Sequence, residues 1–83
     1  MEKFIGVVDD YFAHVGVIAL KLQDEVNMGD NIHIKGHTTD LTLIIDSMQI
    51  EHNSVTNAKA GDNVGIKISE RAHRGDKIFK IIP

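Results

Sequence analysis

The residues able to do chemistry are five histidines, the acid pairs Asp9-Asp10 and Asp24-Glu25, and six cations that follow residue 58. A metal site needs imidazoles or carboxylates spaced to share one face. His33 and His37 are divided between an expected strand and the loop after it, so they do not stack like a helical i,i+4 pair. His14, His52 and His73 lack a carboxylate at motif spacing, so all five read as surface or loop histidines and no metal is expected. Adjacent acids on a strand face opposite ways, whereas catalytic carboxylates need a fixed separation and displaced pKa values. No Ser-His-Asp order or Gly-x-Ser-x-Gly supplies a nucleophile. Without Gly-x-x-x-x-Gly-Lys-Ser/Thr there is no GTP binding or hydrolysis. The absence of cysteine removes thiol chemistry, disulfides and zinc ribbons, and suits a cytoplasmic protein. No catalytic residue and no cofactor is expected, and the chain reads as a non-enzyme.

Charge is distributed unevenly. Residues 1–58 carry three lysines against nine acids, or −6, and residues 59–83 carry six cations against three acids, or +3. Lys59, Lys67, Arg71 and Arg74 therefore suggest a basic edge for a phosphate backbone or an acidic partner. Stacking platforms are scarce, because Phe4, Tyr11, Phe12 and Phe79 are the only aromatics and at least two are expected in the core. The 83 residues, 42% of them apolar, suffice for a single domain over 1–83 with one modest core. No cationic start with an apolar run marks a signal peptide, and no apolar stretch reaches membrane-spanning length.

The elements that position these residues are short strands launched by turns. Gly29-Asp30, Gly61-Asp62 and Gly75-Asp76 are three copies of one turn device, at unequal spacing, each followed by an alternating run. Strands are expected over 3–10, 15–22, 31–35, 41–52, 63–69 and 77–82. The second is apolar on both faces, so it should be central or covered. The fourth changes its apolar side along its length, as a bent or bulged barrel strand does. Gly65 within the fifth suggests a close approach or a bulge. A turn of helix is expected across Val55 to Ala58. Six strands with β-branched residues predict an all-β domain, and closure into a small barrel removes its edges.

Asp46 to His52, followed by Ala60-Gly61-Asp62-Asn63-Val64-Gly65, resembles the second domain of translational GTPases, elongation factor Tu and its counterparts above all. Met28 to Ile34 and Arg74 to Ile78 match that domain's other turn-and-strand units, so the likeness runs from about residue 4 to 82. The chain is also similar to stand-alone translation-factor-like proteins and to the C-terminal barrel of U32-family peptidases. The resemblance implies a six-stranded Greek-key barrel with no catalytic centre. It also implies a pocket for the aminoacyl-adenosine end of tRNA, similar in position to Gln49, Glu51 and Asn63. Gln49 stands where the family usually has Glu, Glu51 replaces a His or similar residue, and Lys67 replaces an apolar wall residue. The function expected first is a non-catalytic binding module that contacts tRNA or ribosomal RNA through Gln49, Glu51, Asn63, Lys59, Lys67, Arg71 and Arg74. The alternative is a protein-interaction or assembly module, acting beside a separately encoded enzyme such as a U32 peptidase or as a homo-oligomer.

Overall fold

The computed structural model describes residues 1–83 and consists of strands and turns without a helix. The first expected strand, 3–10, corresponds to β1 (Glu2–Val7); after a bend at Val8-Asp9 a further strand, β2 (Asp10–Phe12), begins at its last residue and runs beyond it. β3 (Val17–Lys21) follows, then the short β4 (Val26–Asn27) and β5 (Asn31–Lys35). The long fourth run is also divided, into β6 (Asp40–Ile44) and β7 (Met48–Ile50). After it come β8 (Asn53–Ser54), β9 (Asn57–Ala58), β10 (Asn63–Lys67) and β11 (Lys77–Ile81).

Two antiparallel sheets contain most of these, the first ordered β1-β11-β5-β6 and the second β2-β3-β10-β7-β8. The β1–β2 and β6–β7 runs each belong to both sheets, so every long run has a neighbour on either side and the barrel closes. Backbone bonds from Gln23 N–H to Ile5 O and from Asp9 N–H to Ala19 O, both 2.8 Å, join the first run to the second. Around the barrel the six runs follow the order first, sixth, third, fourth, fifth, second, a Greek-key arrangement.

The fourth run shows why its apolar side changes. Leu41 and Ile45 are buried, as is Met48, so inward positions switch from odd to even across the corner at Asp46-Ser47. Each Gly-Asp turn is built alike. Gly29, Gly61 and Gly75 have φ near +90°, as the third residue of a type II turn requires. Asp30, Asp62 and Asp76 each accept a 2.8 Å bond at Oδ2 from the backbone N–H three residues earlier. The side chains thus cap the turns backwards.

Two expectations fail. The helical turn over Val55 to Ala58 does not form: β9 pairs antiparallel with β4 instead. That pairing buries Val26 and Ala58, and the Asn57 amide donates to Asn27 and Glu25, whereas an isolated helical turn bears the cost of nucleation unaided. Nor does any aromatic enter the core. The buried hydrophobic cluster is aliphatic apart from Met48, with Ile5, Ile18, Ile32, Ile34, Ile66 and Ile78 fully enclosed. Tyr11 packs only against its margin, and Phe12 is exposed beside it. The barrel interior is narrow, and branched aliphatic side chains fill it.

Candidate binding groove

β10 lies at the centre of the second sheet, between β3 and β7. Val64 and Ile66 point into the core, so Asn63, Gly65 and Lys67 project outward. Gly65 is paired in regular register with Ala19 on one side and Gln49 on the other, with no bulge. Ala19 and Gly65 have almost no side chain between them, so the sheet surface dips there. A Cβ on Gly65 would lie 3.2 Å from Val17 Cγ1. The glycine marks the close approach that its place in a strand suggested.

Side chains around this dip enclose a groove of about 740 Å³. One wall is formed by Phe12, Val15 and Val17 from the β2–β3 hairpin, with Asp9 and His14 beside them. Gln49, Glu51 and Asn63 form the polar side. β3 is apolar on both faces because Ile18, Leu20 and Leu22 fill the core while Val15, Val17 and Ala19 line the groove. Lys67 stands at one end of β10 and Asn63 at the other, with Glu51 two positions beyond Gln49 on the neighbouring run. Four residues of strand set the cationic and anionic ends about 13 Å apart. Glu51 and His52 also carry the only positive φ angles outside glycine, 50° and 65°. They form a two-residue hairpin turn between β7 and β8, in a conformation that side-chain-bearing residues adopt at a cost.

Of the residues singled out in the sequence, Gln49, Glu51, Asn63 and Lys67 meet in this groove. Lys59, Arg71 and Arg74 lie outside its lining. Lys59 occupies the turn before β10, at the end away from Lys67, and its N–H donates to Asp62. Arg71 lies over the Tyr11 ring at 5.9 Å, and Arg74 reaches Asp10 at 3.5 Å, so both flank β2. Lys59 thus precedes β10 and Lys67 ends it, while Arg71 and Arg74 sit by β2. The acid pairs have structural partners: Asp10 faces Arg74, Asp24 meets Lys3 at 2.6 Å, and Glu25 accepts from Asn57. No group of three His, Cys, Asp or Glu side chains is arranged to hold a metal ion. Phe12, Val15 and Ala19 were missed as groove residues, and the two-sided hydrophobicity of the second run was the signal for them.

No protein-family model matches the chain. Over 76 residues it is 36% identical to an uncharacterized protease of Methanocaldococcus jannaschii, covering 90% of this chain and 19% of that protein. Over 81 residues it is 27% identical to a collagenase of Porphyromonas gingivalis, covering 95% of this chain and 22% of the collagenase. The chain therefore spans about a fifth of the length of these relatives. Among solved structures it superposes on the C-terminal domain of a Geobacillus thermoleovorans protein named as a U32 peptidase. The TM-score is 0.88 at 19% identity, over 96% of this chain and 93% of that one. The selenomethionine variant of that domain gives 0.85 at 19% identity, over 92% and 96%. The chain shares the fold of that small C-terminal β-domain, and its sequence relatives are proteins named as proteases.

Proposed function

We propose that this chain is a non-catalytic accessory module that works with a U32-type body and offers the groove of its second sheet to the polypeptide handled there. The observation that carries this reading is the pattern of coverage: nearly all of this chain matches about a fifth of proteins named protease and collagenase. The groove supports it, with an apolar wall, side-chain amides for backbone groups and opposite charges at its ends. A span of about 13 Å accommodates four residues of extended peptide. A second reading, contact with the aminoacyl end of tRNA, draws on the meeting of Gln49, Glu51 and Asn63 in one groove.

An amide NMR titration of labelled chain separates the two. Peptides from denatured collagen should shift resonances around Gln49, Gly65 and Lys67. Shifts there only with aminoacylated tRNA would favour the RNA reading, and silence with both would remove the groove from either.

A further inference from the structure

The outer face of the first sheet departs from the polar surface expected where an antiparallel sheet meets water. One cross-strand row there is Phe4, Phe79, His33 and Thr42, and the next is Glu2, Ile81, Asn31 and Ile44. Two of the chain's four aromatics lie in these rows, with ring centroids 5.8 Å apart in an edge-to-face pair. Phe4 is 36% exposed and Ile44 58%. The face is also braced. His33 on β5 bonds Glu2 on β1 at 2.9 Å and Asp40 on β6 at 2.6 Å, which ties three strands of the sheet together beside the rings. A rigid surface with aromatic residues near its centre is the anatomy of a contact face, because little is left to order on binding.

We infer that this face, centred on Phe4 and Phe79, seats against the U32-type body. The inference rests on the accessory role proposed above. Two observations select that occupant. Four-fifths of each relative lies outside the matched segment, so a body much larger than this domain is present there. In the Geobacillus thermoleovorans protein the same fold is the C-terminal domain, so the rest of that chain precedes it. In a chain so arranged the body joins ahead of the first strand, and the first strand of this barrel, β1, carries Glu2 and Phe4 of these two rows. A body joined there meets the first sheet, while the groove lies on the second sheet and stays open.

The test is an amide NMR titration of the labelled chain with the Methanocaldococcus jannaschii protease lacking its matching 76 residues. Wild type, Ile44→Asp and Gly65→Val are compared, and thermal melts confirm that each variant is folded. Perturbation should centre on Phe4, His33, Ile44 and Phe79. Ile44→Asp should weaken association about tenfold or more, and Gly65→Val should leave it unchanged. Association lost in Gly65→Val and retained in Ile44→Asp would overturn this assignment yet keep the accessory role. No association with the body would remove both. A dimer of the chain alone, dissolved by Ile44→Asp, would give the face to a second copy and overturn the inference.

Discussion

His33 is the residue whose environment departs furthest from what its position in the sequence suggests. It reads as an unremarkable strand or loop histidine, yet both ring nitrogens face carboxylate oxygens, at 2.9 Å to Glu2 and 2.6 Å to Asp40. An ionised carboxylate only accepts, so both bonds form together only when the ring is the cation. The Asp40 bond is the largest cause lifting its pKa above the ordinary 6.5; partial burial opposes this and Glu2 adds to it. A raised folded pKa means the folded state holds the proton more tightly than the unfolded chain. The clamp's stabilisation is complete below the unfolded value, and fades as pH rises from about 6.5 through the raised folded value. Asp40→Asn should lower the His33 midpoint, seen in ring-proton NMR, and flatten the loss of melting temperature above neutrality. A His33 midpoint at or below the ordinary value in wild type would contradict the clamp. The partners are 31 and 7 residues away, and only the barrel brings them together.

The elements were legible where side-chain alternation is strict. β5 spans the same residues as the expected third strand, and β10 and β11 lie within the fifth and sixth. The change of apolar side in the fourth run marked a true corner, because a closed barrel must pass strands between sheets. The β4–β9 ribbon was not legible, since two-residue strands leave no period to read. Among the groove residues, Gln49 and Asn63 were singled out through resemblance, whereas the apolar wall depended on which face of β3 would lie outside. Gly65→Val should fill the dip and change stability by about 1 kcal/mol, because its Cβ meets Val17 Cγ1 at 3.2 Å and that side chain must give way, while valine suits a strand. Chemical denaturation checks this. Gly36 differs, for a Cβ there would overlap Asp76 Oδ1, and Asp76 is buried and bonded to the His73 N–H. Gly36→Ala should cost about 1–3 kcal/mol, read as a lower urea midpoint with an unchanged slope.

At the scale of the whole molecule, closure of the barrel separates two surfaces of different character. The second sheet carries the groove, with Gln49 and Asn63 in its lining and Lys67 and Glu51 at its ends. The first sheet carries the aromatic pair and the histidine clamp. All-β architecture and barrel closure could be read from turns and periodicity. The difference in character between the two faces could not, because the rows that define it join residues from strands distant in sequence. No helix is long and apolar enough to cross a membrane. The central claim is that the groove receives polypeptide. Calorimetric titration of one denatured-collagen peptide into wild type, Gly65→Val and Ile44→Asp tests it most directly. The account predicts binding to wild type and Ile44→Asp with equal affinity, and loss in Gly65→Val. Binding that survives Gly65→Val, or no binding to wild type, would contradict it.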